Sequence, residues 1–194
     1  MTTFELIINE QDEHSGVDAI SLVDRPATES DWQIFNDQKP ECFKKTDIEG
    51  VFTGYFMISD KVIYRNNEEL GEHNIFFSKE TIGKIQMKFM SRNFNLSANI
   101  MHNPNLALDD VVIFEHWIID KEKGKLPPKG FKVEADGSWF GSMYIPPHLT
   151  KLREAALDGK LNGFSVEGYF SYKKPEETTE EKMLSQIKEL LKGI

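Results

Sequence analysis

Residues 159–170 read Gly-Lys-Leu-Asn-Gly-Phe-Ser-Val-Glu-Gly-Tyr-Phe, a short run rich in β-branched and aromatic residues. This composition predicts a strand, and Gly163 and Gly168 indicate places where another backbone or a ligand comes close. Because side chains alternate across a strand, Ser165 and Glu167 should share one face. A Gly-x-Ser-x-Gly nucleophile elbow would need glycine in place of Glu167, so a nucleophilic Ser165 would be carried on a strand. The simpler alternative is a strand serine that faces solvent or bonds a neighbour.

Composition bounds the kind of protein. The 194 residues are 39% hydrophobic and 11% aromatic, which is typical of one globular domain with a sizeable core. The net charge of −9 argues against nucleic acid as a partner. No run approaches the roughly 18 apolar residues of a membrane span, and the first residues lack a signal-peptide pattern. Cys42 is the single cysteine, which excludes a disulfide framework. We expect a soluble intracellular protein.

Hydrophobic periodicity predicts many short strands with two or three helices between them. Ser78 should cap the first helix, the second should run from His148 to Leu157, and Thr178 should help cap an amphipathic third. We therefore expect an α+β protein, mainly antiparallel β, with helices flanking a barrel or bent sheet. Besides the strand that contains Ser165, strands are predicted at 4–8, 17–24, 51–58, 62–65, 74–77, 96–102, 111–119 and 139–145, and loops at 28–45 (around a short element at 32–35), 66–73, 103–105 and 121–132.

A nucleophilic serine needs a base, and histidine is the usual one because it titrates near neutrality. His14 and His73 lie in charged turns and should be solvated. His148 lies in the first turn of a predicted helix, where an imidazolium is disfavoured. His102 and His116 remain, on or at the end of apolar strands. For each, a histidine bonded to a backbone carbonyl is the simpler alternative.

A third group would orient the base. Glu115 and His116 are neighbours on one predicted strand and must face opposite ways. A carboxylate on the apolar face with Ile113 and Trp117 would need a partner, which makes Glu115 the first choice for a buried partner of His102. Glu167, roughly 7 Å along the strand from Ser165, is the second choice. No zinc-hydrolase spacing is present, so we expect neither a metal nor another cofactor.

Several motifs together resemble one family. The ordered set resembles the maturation (prohead) proteases of tailed phages, particularly the phage serine proteases of the XkdF type, over about residues 4–172. The matching pieces are Gly-Val-Asp-Ala-Ile-Ser-Leu-Val-Asp-Arg-Pro-Ala at 16–27, Ile-Tyr-Arg at 63–65, Phe-Phe-Ser-Lys-Glu-Thr-Ile at 76–82, His-Asn at 102–103, Phe-Glu-His-Trp-Ile at 114–118, Gly-Ser-Trp at 137–139 and Gly-Lys-Leu-Asn-Gly-Phe-Ser-Val-Glu-Gly at 159–168.

The resemblance implies a fold similar to the herpesvirus capsid-assembly protease, a Greek-key β-barrel surrounded by helices. It implies a barrel domain over 1–172, followed by a linker and C-terminal helix over 173–194. It also implies a serine endopeptidase that cleaves scaffold and major capsid proteins, and often itself, inside the prohead assembling in the host cytoplasm. The alternative is a catalytically inactive assembly component of the same fold. The resemblance does not determine the oligomeric state, and a homo-oligomer is one of the alternatives.

By motif match, Ser165 would be the nucleophile and His102 the general base. The family commonly has Glu-Ser-Trp or a similar triplet where this chain has Glu115, His116 and Trp117, so Glu115 carries over and His116 is a departure. Herpesvirus relatives use a second histidine as the third member, which keeps His116 as an alternative beside Glu167. The oxyanion-hole donors and the cleavage specificity do not follow from the sequence.

Overall fold

A computed structural model describes residues 1–25, 44–45 and 49–174. The predicted element at 32–35, the predicted C-terminal helix and nearly all of the segment 173–194 lie outside these residues. The strands are β1 (Thr3–Ile7), β2 (Gly16–Val23), β3 (Lys44–Lys45), β4 (Val51–Met57), β5 (Ile63–Asn67), β6 (Gly71–Phe76), β7 (Ala98–Ile100), β8 (Asn103–Ala107), β9 (Val112–Ile118), β10 (Trp139–Tyr144), β11 (Gly163–Tyr169) and β12 (Ser171–Lys173); the helices are α1 (Lys79–Ser91) and α2 (Thr150–Leu157), with a 3-10 turn at Phe94–Leu96.

The strands form three four-stranded sheets, ordered β12-β1-β6-β5, β3-β4-β10-β9 and β11-β2-β7-β8. Neighbours are antiparallel except for β1 with β6 and β2 with β7. Within the part of the chain that the structure describes, no sheet closes into a barrel. The expectation of an α+β, mainly antiparallel protein with flanking helices is confirmed at that level.

The first helix forms where the sequence predicts it. Ser78 is its N-cap, and the side-chain oxygen accepts a hydrogen bond from the backbone N–H of Thr81 at 3.3 Å. Ile82, Ile85 and Phe89 are buried along one face, as the 3.6-residue periodicity requires. The second helix begins at Thr150 rather than at His148, because the chain after the prolines first makes a turn.

An aromatic core lies behind the strand that carries Ser165. The ring of Phe56 meets those of Trp139 and Phe164 edge-on, at centroid distances of 5.2 and 5.0 Å. Phe89 of α1 packs on Trp139 from the other side. Since side chains alternate along β11, the packing of Phe164 on this core leaves Ser165 for the opposite face of the strand.

Candidate functional site

His102 lies in a tight hairpin turn instead of at the end of a longer strand. β7 ends at Ile100, and Met101 and His102 follow with φ of 55° and 56°. Positive φ at both central residues is the pattern of the type I′ turn, whose twist suits a two-residue hairpin. Asn103, predicted to begin a loop, is therefore the first residue of β8 and pairs with Ile100. The expected strand at 96–102 is too long at both ends.

The turn brings His102 into a polar network on the β11-β2-β7 sheet. Ser21 Oγ lies 3.0 Å from His102 Nδ1 and 2.6 Å from Asn99 Oδ1. Asn99 Nδ2 donates to Glu167 Oε2 at 2.8 Å. The same carboxylate oxygen is 3.6 Å from His102 Nδ1. Ser21 and Asn99 are buried, whereas the side chains of His102 and Glu167 are 41% and 38% exposed.

Ser165 lies beside this network without joining it. It is the partner of Ser21 in the antiparallel register of β11 and β2, and it is 2% exposed. Among the described residues its hydroxyl has no hydrogen-bond partner, so no hydrogen bond joins Ser165 to His102. Ser165 also lines a mostly apolar cavity of about 180 Å³ between the sheets. Arg65 lines this cavity too, and burial lowers the pKa of its guanidinium.

Glu115 lies elsewhere and is exposed, so the expectation of a buried carboxylate at this position is wrong. The pairing of β9 with β10 shifts between Ile113, opposite Met143, and Glu115, opposite Ser142. Phe114 is the additional residue of this bulge, and a bulge breaks the alternation on which the expectation depended. Glu115 Oε2 accepts a hydrogen bond from Ser142 Oγ at 3.0 Å.

The bulge turns His116 inward. Its Nδ1 accepts a hydrogen bond from Gln86 Nε2 at 2.8 Å, and its ring stands edge-on to Trp139. Partial burial lowers the pKa of the imidazole below its usual range. His116 is thus held by α1 and β10, and its hydrogen bond goes to Gln86 rather than to a member of the polar network.

The remaining histidines differ in burial. His14 and His148 are exposed or nearly so, and His148 Nε2 lies 3.0 Å from an oxygen of Asp110. The expectation that His73 is solvated is wrong, because the charged segment around it folds into the β5–β6 hairpin. His73 is 1% exposed, its Nδ1 donates to the carbonyl of Gly71 at 2.8 Å, and its ring packs against Phe4.

Ser21 and Asn99 are members of the network that the sequence did not identify as candidate site residues. Each is a polar residue inside a short apolar strand, Ser21 between Ile20 and Leu22 and Asn99 between Ala98 and Ile100. Buried polar side chains need partners, so these interruptions were the available signal. The partners are 78 residues apart in the chain, and only the parallel pairing of β2 with β7 brings them together.

The network provides a histidine and a nearby carboxylate, and Ser165 beside it provides a buried hydroxyl. These are the groups needed for acyl transfer. In the described ranges no cluster of histidine, cysteine and acidic residues could hold a metal ion, and no helix has the length and apolar character of a membrane span. No protein-family model, curated protein or solved structure matches the chain. Its function is therefore inferred from the geometry of this site and from the motif resemblance.

Proposed function

We propose that the chain is a serine endopeptidase of the prohead-maturation type. The observation that supports it is the buried hydroxyl of Ser165, which has no hydrogen-bond partner among the described residues. Ser165 lies on the same strand as Glu167, and one strand, β2, separates it from the hairpin that carries His102. Its substrates would be the capsid scaffold protein, the major capsid protein and the protease itself, during assembly in the host cytoplasm. A fold related to the herpesvirus capsid-assembly protease is part of the same proposal, with the described strands arranged in three sheets rather than in a closed Greek-key barrel.

The proposed reaction is acyl transfer. His102 removes the proton of Ser165 Oγ as this oxygen attacks the scissile carbonyl, and the protonated imidazole then gives its proton to the departing amine. Water, deprotonated by the same histidine, hydrolyses the acyl-enzyme and regenerates the hydroxyl. Glu167 lies 3.6 Å from Nδ1 and would favour the imidazolium formed in both steps.

The reaction requires Ser165 and His102 to come into hydrogen-bonding contact when substrate binds. Catalytic hydrogen bonds are often long in unliganded enzymes and tighten in the substrate complex. His102 is part-exposed in a hairpin turn, and within the described part of the chain the Ser165 hydroxyl has no hydrogen bond that it would have to break. A change of side-chain rotamer at either residue is therefore the movement that we expect.

A fluorophosphonate probe tests the proposal. We expect the wild-type chain to be labelled on Ser165, with the modified peptide identified by mass spectrometry, and Ser165→Ala to lose labelling and leave the scaffold protein uncut. Ser59→Ala is the matched control. Ser59 is as buried as Ser165, but its hydroxyl donates to the backbone carbonyl of Asp136, a residue distant in the sequence. Scaffold cleavage that persists in Ser165→Ala would remove Ser165 from its role.

A second candidate function is a catalytically inactive assembly component. The absence of a hydrogen bond between Ser165 and His102 among the described residues favours it. A wild-type chain that is not labelled, does not cut the scaffold and still enters the capsid would support this candidate. In that case Ser165→Ala would leave assembly unchanged.

A further inference from the structure

The polar network determines which nitrogen of His102 carries the proton, through the orientation of the Asn99 amide. The amide Nδ2 of Asn99 donates to Glu167 Oε2 at 2.8 Å. An ionised carboxylate only accepts hydrogen bonds, and an amide oxygen only accepts as well. A reversed amide would therefore set two acceptors against each other at Glu167. The carboxylate holds the amide in one orientation, with Oδ1 turned towards Ser21.

The orientation of Asn99 determines the role of Ser21. The 2.6 Å contact between Ser21 Oγ and Asn99 Oδ1 needs a proton, and only the hydroxyl can supply it. A serine has one hydroxyl proton, so Ser21 has none left for His102. Its oxygen must accept at the 3.0 Å contact with Nδ1, which means that Nδ1 is the protonated nitrogen.

We propose that Ser21 and Asn99 are positioning residues that hold neutral His102 in the Nδ1–H tautomer, with Nε2 as the free base. The chain of bonds then runs from His102 Nδ1–H to Ser21 Oγ, from the Ser21 hydroxyl to Asn99 Oδ1, and from Asn99 Nδ2–H to Glu167. The catalytic meaning of this arrangement rests on the proposed function, whereas the tautomer itself does not.

The direction of these hydrogen bonds also distinguishes Ser21 from Ser165. Ser21 touches the imidazole, but it does so at a nitrogen that already carries a proton and cannot remove another. Ser21 is therefore not the nucleophile that His102 activates, despite its contact. Nε2 is the nitrogen available to a different hydroxyl. Ser165 lies across from Ser21 on β11, and its hydroxyl has no hydrogen bond to any described residue.

Long-range proton–nitrogen NMR of the ¹⁵N-labelled full chain at alkaline pH tests the tautomer directly, with His102→Gln to assign the signal. We expect a protonated Nδ1 and an unprotonated Nε2, the reverse of the form that isolated histidine prefers in water. Ser21→Ala should move His102 towards the Nε2–H form and slow probe labelling roughly 100-fold, the range of a lost general base. Ser21→Thr, which keeps a hydroxyl, should restore both.

The possible results separate this inference from the proposed function. An Nε2–H signal in the wild-type chain would overturn the inference, and so would a tautomer that is unchanged in a folded Ser21→Ala variant. Ser165→Ala should keep the Nδ1–H form while it loses labelling. If Ser165→Ala is still labelled, the proposed function fails while the tautomer result stands. The wild-type spectrum alone decides the tautomer if Ser21→Ala does not fold.

Discussion

A carboxylate assists a general-base histidine only if it is close enough to favour the imidazolium that forms when the base takes a proton. Glu167 Oε2 meets this condition at 3.6 Å from His102 Nδ1. Glu115 instead bonds Ser142 on another sheet, and His116 bonds Gln86 of α1. At the scale of single residues, the geometry favours Glu167 among the three candidates for the third member.

We therefore expect Glu167→Gln to lower the rate of scaffold cleavage, whereas Glu115→Gln should leave it unchanged. Glutamine has nearly the same shape and keeps an oxygen that can accept from Asn99, so the change removes the negative charge, together with the acceptor-only character that fixes the Asn99 amide. The decrease should be no more than about tenfold, because both members of the pair are more than one-third exposed and solvent screens them. Cleavage rates at low and high salt would check this, with a smaller difference at high salt. An equal loss in Glu115→Gln would contradict the assignment.

At the scale of elements, the β7–β8 hairpin holds His102 at a conformational cost. Met101 adopts φ of 55°, a region in which residues other than glycine, asparagine and aspartate are strained by roughly 1–2 kcal/mol. Histidine is more often found there, but methionine is not. Met101 is 47% exposed, so little buried contact compensates for the strain. Strain of this kind is typical of functional turns.

Relief of this strain should stabilise the protein. We expect Met101→Asn to raise the free energy of unfolding by about 0.5–1 kcal/mol, since asparagine tolerates the left-handed region, and Met101→Val to lower it by about 1 kcal/mol or more. Met87→Asn is the control, because Met87 is an exposed methionine inside α1 where asparagine is slightly unfavourable. Urea unfolding would measure all three. Stabilisation by valine would contradict the strain argument.

Elements fixed by local chemistry were predictable from the sequence, and those fixed by pairing were not. The cap at Ser78 and the stripe of α1 depend on residues within a few turns of one another. The two central positions of the turn hold Met101 and His102 instead of the glycine or asparagine that signal such a turn in a sequence. The bulge at Phe114 depends on the register with β10. The expected loop at 103–105 is a strand for the same reason.

In the candidate site, too, the features set by local sequence were predictable and those set by strand pairing were not. The shared face of Ser165 and Glu167 follows from the two-residue period of a single strand, and β11 provides it. The contact of His102 with Ser21 depends on β2 lying between β7 and β11, which no local pattern reveals. Glu115 was preferred because regular alternation was assumed, and one additional residue in β9 reversed that choice.

Strand pairing connects the N-terminal and C-terminal parts of the described chain. β2 pairs with β11 along its whole length, and β1 pairs with β12. The paired residues lie at least 140 positions apart in the sequence, as in the pair of Ser21 with Ser165. Closing such a long loop costs conformational entropy that only the long-range pairing itself offsets, so we expect the candidate site to be assembled and lost together with the fold.

Gly168 provides a test of this coupling. A Cβ at this position would overlap the carbonyl oxygen of Gly16 and lie 2.8 Å from the Cα of Val17, and neither backbone atom can rotate away. We expect Gly168→Ala to lower the free energy of unfolding by about 1–3 kcal/mol, the cost of overpacking. Gly83→Ala is the matched control, because no atom outside the adjacent turns of its own helix lies within 4 Å of its Cβ position. In a helix interior, alanine is more stable than glycine by up to about 1 kcal/mol.

The two variants should therefore move urea midpoints in opposite directions. If the site is assembled by the β2–β11 pairing, Gly168→Ala should also weaken the Ser21–His102 contact, and the Nδ1–H signal of His102 should fade at lower urea concentration than in the wild-type chain. In Gly83→Ala that signal should persist to higher urea. A Gly168→Ala variant as stable as the wild type would mean that the close approach of β11 to β2 does not hold the ends of the chain together.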